Sequence, residues 1–313
     1  MLTYLIRRVA VAAVVLFGLL VATFFIIHLV PGDPVRIVLA GRASPAEIAR
    51  VRHQLALDRP LWTQFTLYVS RTFQGHFGTS FTLGSPVSQI IGQRLGPSAA
   101  LIGYGMLLSL LIGVPLAIAA ALRPNSWLDN LIRLETTLTF AFPGFWLGLM
   151  LALIFGLKLG WFPVAGYSGG IGGILRTLTL PALSIGLALA GVVVRTLRSS
   201  LLEVLQTEYI EAARSRGLRE LRVVGKHALR NSVMNTLTIL SVNIGFLIGG
   251  TVVLEQVFQI PGLGSLLVEA VEKRDYQLVQ ALTLLAGAAV VAASLLADVV
   301  QALLDPRVRL GAR

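Results

Sequence analysis

Residues 9–30 read VAVAAVVLFGLLVATFFIIHLV, a run of 22 residues without Asp, Glu, Lys or Arg. A helix rises about 1.5 Å per residue and the hydrocarbon core of a bilayer is about 30 Å thick, so about 20 apolar residues cross it. The run meets this requirement. It is longer than the roughly 7–15 apolar residues of a secretory signal peptide, and no Ala-x-Ala cleavage site follows it. We therefore interpret it as an uncleaved membrane helix.

Five further apolar runs of similar length follow along the chain. They cover approximately residues 98–122, 131–157, 178–197, 236–258 and 278–304. The run at 178–197 is the weakest, since Pro181 interrupts its start and Arg195 and Arg198 crowd its end. Only 13% of the 313 residues are charged, whereas soluble domains carry about 25%. The sequence therefore predicts an all-α membrane protein with six transmembrane helices and argues against a soluble enzyme.

The distribution of basic residues predicts the orientation of these helices. The chain has 26 Lys and Arg against 15 Asp and Glu, a net charge of +11. With the N-terminus inside, 15 basic residues fall in inner segments and only four in outer ones once residues 31–97 are set aside. Such a long segment contributes little to the positive-inside rule. We therefore predict an N-in, C-in topology. The inner basic cluster contains one aromatic residue, Tyr209, so the charge does not favour nucleic-acid binding.

The outer segment at 31–97 has the pattern of a folded helical unit. Ser44-Pro45-Ala46-Glu47 is a capping box that predicts a helix from Pro45 to about Leu55. A second helix is predicted after Asp58-Arg59-Pro60, and a third after Ser85-Pro86. The second helix has an apolar and aromatic stripe at Leu61, Trp62, Phe65, Tyr68 and Val69. We interpret this stripe as packing rather than ligand contact, with a docking platform as the alternative.

The composition excludes several kinds of chemistry. The chain has no cysteine and four scattered histidines, so it lacks a disulfide framework, a thiol nucleophile and a recognisable metal site. Its only Gly-Lys pair is Gly225-Lys226, without the earlier glycine or the following Ser or Thr of a P-loop. The apolar runs carry no catalytic constellation, which argues against a membrane-embedded enzyme.

The most informative stretch is the inner segment at residues 195–231, RTLRSSLLEVLQTEYIEAARSRGLRELRVVGKHALRN. Apolar residues recur at helical spacing up to Ile210, and Gly217 interrupts the pattern before it resumes near Arg219. This predicts two short helices joined at a glycine turn on the cytoplasmic side. The residue pattern leaves contact with anionic lipid and docking of a protein as open alternatives.

Glu211-Ala212-Ala213 followed by Gly217 resembles the EAA motif of ABC-importer permeases, in the version of the dipeptide/oligopeptide permease family. The resemblance extends over almost the whole chain. Further matching stretches, in order, are LVPGDP at 29–34, LDRPL at 57–61, GTSF at 78–81, PGFWLG at 143–148, RSSLLEVL at 198–205, HALRN at 227–231, PGLG at 261–264 and LLDPRVR at 303–309. One position departs from the pattern, because Asn235 stands where the family usually has proline.

The resemblance implies a transport subunit that is not itself an enzyme. Its organisation would be a first segment with a membrane helix at 1–30, an extracytoplasmic segment at 31–97 and a permease core at 98–313 with a coupling loop at about 199–235. The residues implied to contact an ATPase are Glu208, Tyr209, Glu211, Ala212, Ala213, Arg216 and Gly217. The implied partners are a second homologous permease subunit, two cytoplasmic ATPase domains that bind ATP and Mg²⁺, an extracytoplasmic substrate-binding protein and the lipid bilayer. No cofactor is expected in this chain.

A polar stripe in the run at 236–258 suggests a translocation path. Thr236, Asn243 and Thr251 share one broad face, and Glu255 lies near the predicted outer end. Helix–helix hydrogen bonding is the alternative role of the stripe, and an interfacial carboxylate near water is the alternative for Glu255. A charged carboxylate such as that of Asp298 has a high free energy inside the hydrocarbon core of a bilayer. We therefore expect Asp298 to face protein, water or the headgroup region.

The predicted function is an ABC-importer permease for di- or oligopeptides. The alternative is a channel or secondary transporter for a small solute, which would need no ATPase partner. The sequence leaves the substrate open among dipeptides, oligopeptides, haem, nickel chelates and glutathione, all of which are handled by proteins of this type.

Overall fold

The computed structural model describes residues 2–29, 44–54 and 57–304. This part of the chain is mainly helical, and its only extended pairing is an isolated bridge between Thr79 and Pro86. The matching stretches at 29–34 and 303–309 fall almost entirely outside the described residues.

Five long helices form the body of the molecule. They are α1 (Leu2–Leu29), α4 (Val87–Leu122), α8 (Thr179–Leu205), α10 (Leu229–Val257) and α12 (Tyr276–Leu304). The shorter helices are α2 (Pro45–Gln54), α3 (Leu61–Phe73), α5 (Trp127–Ala141), α6 (Gly144–Leu151), α7 (Gly170–Thr177), α9 (Glu208–Ser215) and α11 (Leu263–Glu272).

Several of these helices have the length and composition of membrane spans. The described parts that qualify are Ile6–Phe25, Val87–Leu122, Thr179–Leu205 and Tyr276–Val299. Helix α10 is 29 residues long and continues through position 235 without a break. The structure therefore confirms an all-α membrane protein.

The apolar run at 131–157 is not one helix. Helix α5 ends at Ala141, Phe142 adopts an extended conformation (φ −105°, ψ 138°), and α6 begins after Pro143. Proline lacks the N–H that would continue the helical ladder and disfavours helical geometry in the residue before it. The chain then continues from α6 into wider, π-helical turns at Ala152–Lys158. The proline thus divides the predicted third span into two helical pieces.

Two other proline-containing regions are more continuous than their sequence suggests. Helix α4 runs for 36 residues through Pro97 and Pro115, so the predicted helix after Ser85-Pro86 merges with the second span. Pro181 lies in the first turn of α8, where a missing N–H leaves no hydrogen bond unmade.

The centre of the fold is the packing of α4 against α8. A Cβ on Gly105 would lie 2.7 Å from Ile185 Cγ2, and one on Gly113 would lie 2.8 Å from Val193 Cβ. Both glycines are therefore required by the close approach of the two helices. Leu101, Leu189 and Leu254 extend the buried core from this pair towards α10.

Helix α1 lies against α12 and α3. The Gln280 side-chain amide donates to the Thr23 carbonyl oxygen at 2.7 Å, and the hydroxyls of Thr23 and Tyr68 lie 2.9 Å apart. Phe65 packs edge-on against Phe24, so part of the stripe of α3 packs against α1 as predicted, whereas Leu61 and Trp62 are 56% and 73% exposed. Arg8 pairs with Asp298 at 3.3 Å, which accounts for the carboxylate in the last apolar run.

Candidate functional site

Helix α9 is anchored to the membrane helices through one face. Ile210 is fully buried and Ala213 is 8% exposed. The residues packed around them come from the ends of α4 and α8 and from the chain that follows α9: Ala117, Ala121, Leu197, Leu201, Val223 and Ala228. Only two residues separate the end of α8 at Leu205 from the start of α9 at Glu208.

The opposite face of α9 is open to solvent. Glu208, Glu211, Ala212 and Arg216 are exposed, and Tyr209 is 43% exposed. Glu208 and Glu211 lie in the first turn, where the positive end of the helix dipole favours acidic groups. The Tyr209 hydroxyl is less free than the sequence suggests, since it accepts a 2.7 Å hydrogen bond from the Asn231 side chain.

Gly217 ends α9 in the left-handed region, with φ +77°. Its N–H donates to the Arg214 carbonyl oxygen at 2.9 Å. A Cβ at this position would meet no atom within 4 Å, so the backbone conformation, and not local crowding, favours glycine. An open surface therefore continues from the exposed face of α9 across the turn.

An ion pair spans this turn. Arg214 donates to Glu220 at 2.6 Å and 3.2 Å. These bonds lower the pKa of Glu220 and raise that of Arg214. Both side chains are about half exposed, so the pair orients the turn more than it stabilises the fold.

The chain returns to the membrane through irregular helical turns. A short turn at Glu220–Arg222 continues into wider, π-helical turns at Val223–Ala228 and then into α10. The sequence did not predict these wider turns, because their apolar residues do not recur at a regular helical spacing.

Two of the four predicted pathway residues line the same cavity. A cavity of about 330 Å³ lies between α6, α8 and α10, and its lining includes Asn243 and Thr251. Phe142 and Phe145 form its wall at the break between α5 and α6. The cavity is mainly apolar, with Ser184 as a further hydroxyl in the lining.

Thr236 and Glu255 occupy other surroundings. Thr236 is 4% exposed, and its hydroxyl has no hydrogen-bond partner among the described residues. Glu255 is fully buried and accepts hydrogen bonds from the Ser98 hydroxyl at 2.6 Å and the Ser265 N–H at 2.9 Å. It thereby ties the turn between α10 and α11 to α4, while it also borders an outer groove with Arg94 and Gln259.

Comparison with known proteins identifies the family. The family described as "Binding-protein-dependent transport system inner membrane component" matches residues 113–310. The corresponding N-terminal family, "Binding-prot-dependent transport system membrane comp, N-term", matches residues 1–101. The chain belongs to this permease family. It is accordingly a multi-pass protein of the bacterial inner membrane and a transport subunit rather than an enzyme.

Full-length relatives agree with this assignment. The permease is 39% identical over 309 residues to the glutathione transport system permease protein GsiC of Salmonella paratyphi A, covering 99% of each chain. It is 38% identical over 312 residues to a putative peptide transport system permease protein of Brucella abortus, again covering 99% of each.

A solved structure supports the fold. A chain of the MetNI methionine ABC transporter in inward-facing conformations matches with a TM-score of 0.55 at 15% identity, covering 69% of the permease and 97% of that chain. At this identity the likeness concerns the fold alone.

The structure also reveals two buried carboxylates that sequence reasoning missed. Asp129, at the start of α5, binds Arg198 of α8 through two hydrogen bonds of 2.7 Å. Asp275, before α12, accepts from the hydroxyls of Ser80 at 2.5 Å and Thr82 at 2.8 Å. Ser126, whose hydroxyl accepts from the Asp129 N–H, was a usable capping signal in the sequence. The long-range partners had no local signal.

Proposed function

We propose that the permease forms part of the path by which an ABC importer carries di- or oligopeptides across the bacterial cytoplasmic membrane. The relatives named for glutathione and peptide transport are similar over almost their whole length. Glutathione is itself a tripeptide, so both names describe peptide-sized substrates. The coverage supports the same substrate class here.

The observation that carries the proposal is the two-sided character of α9. Ile210 and Ala213 are buried against α4 and α8, while Glu211, Ala212 and Gly217 lie on the exposed side. Small residues and an open glycine turn let a partner approach the backbone closely. We propose that this face, with Glu208, Tyr209 and Arg216, docks onto a cytoplasmic ATPase.

In the proposed mechanism, the cytoplasmic ATPase supplies the energy for transport. ATP and Mg²⁺ bind to two ATPase domains, since the permease sequence has no P-loop. A second homologous permease completes the membrane part, and a binding protein delivers the peptide from outside. The topology is N-in and C-in with six spans, in which α5 and α6 together form the third.

The cavity between α6, α8 and α10 is the proposed passage. Asn243 and Thr251 each donate to a carbonyl oxygen of α10, so what they chiefly offer a substrate is their side-chain oxygens as acceptors. The rest of the lining is mainly apolar, which suits peptides with varied side chains. Thr236 and Glu255 support the path indirectly, through the packing of α10 and the turn that follows it.

ATP-driven uptake tests the function. The complete complex is reconstituted in proteoliposomes with binding protein and labelled peptide. We expect uptake only with ATP and a functional ATPase. We also expect Glu211→Lys to abolish most of it, while Glu272→Lys, an equivalent charge reversal at an exposed position on the proposed outer side, leaves uptake within about twofold. Equal uptake without ATP would instead support a channel or secondary transporter.

The absence of cysteine in the sequence permits a direct topology test. Single cysteines at Thr66 and at Arg216 replace exposed residues of α3 and of the coupling turn. In intact cells an impermeant maleimide should label the first and not the second. The reverse pattern would refute the orientation.

A further inference from the structure

The ion pair between Asp129 and Arg198 connects two parts of the permease that the proposed mechanism needs to move together. Arg198 Nε donates to one Asp129 oxygen and Nη2 to the other, each at 2.7 Å. The carboxylate is fully buried and the guanidinium side chain is 16% exposed. A two-pronged pair of this kind fixes relative orientation as well as distance, because rotation of either group breaks one of the bonds.

The Asp129 side of the pair also holds the turn between α4 and α5. The Asn125 N–H donates to the same carboxylate at 2.9 Å, and Asn125 has a left-handed φ of 61°. Beneath the pair, Ala120, Ile132 and Val194 form a small buried cluster that joins α4, α5 and α8. The inner ends of these three helices therefore converge on one carboxylate.

The Arg198 side leads directly to α9. Arg198 lies two turns before the end of α8, and only Gln206 and Thr207 separate α8 from α9. Neighbouring Leu197 and Leu201 pack against Ile210 of α9. A displacement of α9 is thus transmitted to the stretch of α8 that carries Arg198.

Helix α5 leads from the ion pair to the cavity. Much of its surface faces away from the rest of the chain, as shown by the exposed side chains of Trp127, Leu131 and Leu134. The helix ends at Ala141, and the next residue, Phe142, lines the cavity. The ion pair lies at one end of α5 and the cavity wall at the other.

We propose that Asp129 and Arg198 are positioning residues that make α5, and with it the cavity wall at Phe142, follow the movement of α9. The proposal rests on the proposed function, because it assigns a transmission path within an ATP-coupled permease. Neither residue needs to contact substrate or ATPase. Their role is to keep the start of α5 aligned with the moving unit.

The test measures transported peptide and hydrolysed ATP in the same proteoliposomes, using the complete complex. Asp129→Asn keeps the size of the side chain but removes its charge. We expect at least a fivefold fall in peptide transported per ATP, with binding-protein-stimulated hydrolysis retained within about twofold. Arg198→Lys keeps the positive charge but cannot reproduce the two parallel hydrogen bonds of the guanidinium group. We therefore expect a smaller fall in peptide transported per ATP. Asp298→Asn removes the partner of Arg8 on α12, outside this path, and should leave the ratio unchanged.

A purely structural role predicts a different pattern. Uptake and hydrolysis would then fall in proportion to the amount of intact complex, and an unchanged ratio in Asp129→Asn would overturn the inference. If that variant does not assemble, the ratio is measured for Arg198→Lys, and a wild-type value there has the same meaning. Absence of ATP-driven uptake in the wild-type complex would instead refute the proposed function.

Discussion

The two ends of the permease, inner and outer in the proposed topology, stabilise buried carboxylates in different ways. At the inner end Asp129 is bound by a guanidinium group that also belongs to the helix leading into α9. At the outer end Glu255 and Asp275 accept hydrogen bonds from hydroxyl and backbone N–H groups. The inner carboxylate is therefore held by an opposite charge, whereas the outer ones are held by neutral hydrogen-bond donors.

This difference fits the roles proposed for the two ends. Neutral donors hold the other two carboxylates without an opposite charge, and they come from Ser80 in a loop and from Ser98 and Ser265 in helices α4 and α11. A buried guanidinium–carboxylate pair is more demanding, since either partner alone leaves an uncompensated charge. Such a pair is suited to two elements that have to remain together when one of them moves.

The largest effect is expected from removing the inner carboxylate entirely. Asp129→Ala leaves the Arg198 charge without its partner, so we expect a loss of about 3–5 kcal/mol in the free energy of unfolding. Denaturant titration of the purified permease in detergent measures it. Arg133→Ala serves as control, because Arg133 is half exposed and 3.9 Å from the same carboxylate. A loss below about 1 kcal/mol for Asp129→Ala would remove the distinction between the two ends.

An intermediate effect is expected at the outer end. Asp275→Asn replaces one acceptor oxygen by an NH₂ group, which then faces either the donors of Ser80 and Thr82 or the Leu278 N–H and leaves a donor unpaired. The expected loss is about 1–3 kcal/mol, measured by the same titration. Lys273→Ala, which removes an exposed pair with Glu269, should cost less than about 0.5 kcal/mol. A larger loss for Asp275→Asn than for Asp129→Ala would reverse the comparison.

The smallest effect is expected at Thr236. Its buried hydroxyl has no partner among the described residues, so Thr236→Val should leave stability unchanged or raise it by up to about 1 kcal/mol. Peptide uptake distinguishes packing from a place in the path. Unchanged uptake would support a packing role for Thr236. A marked loss of uptake without a loss of stability would show that Thr236 contributes to the passage together with Asn243 and Thr251.

The features that the sequence predicted are those with local or periodic causes. Apolar runs of sufficient length predicted the membrane helices, and capping residues predicted α2 and the start of α4. The glycine turn at Gly217 followed from a single residue type within an amphipathic pattern. The break at Phe142 was visible as Pro143, yet the uniform apolarity around it favoured one continuous span.

The features that the sequence did not predict depend on residues far apart in the chain. Asp129 and Arg198 are 69 positions apart, and Ser80 and Asp275 are 195 apart. The sequence identified Arg198 as a charge at the end of the fourth apolar run, as part of the stretch RSSLLEVL and as one of the basic residues that set topology. None of these patterns shows which residue it pairs with. The separation of Thr236 and Glu255 from the cavity likewise depends on how α10 packs, which its own polar stripe does not determine.

Replacement of Gly217 tests the central claim most directly. Alanine and tryptophan both require the left-handed conformation, which costs a residue with a Cβ about 1 kcal/mol, and a Cβ itself meets nothing within 4 Å. Only the bulky side chain would obstruct a partner at the exposed turn. In proteoliposomes with the complete complex, we predict that Gly217→Ala retains most ATP-driven peptide uptake and that Gly217→Trp loses at least tenfold while still inserting. Equal uptake by the two variants would contradict docking of an ATPase at α9.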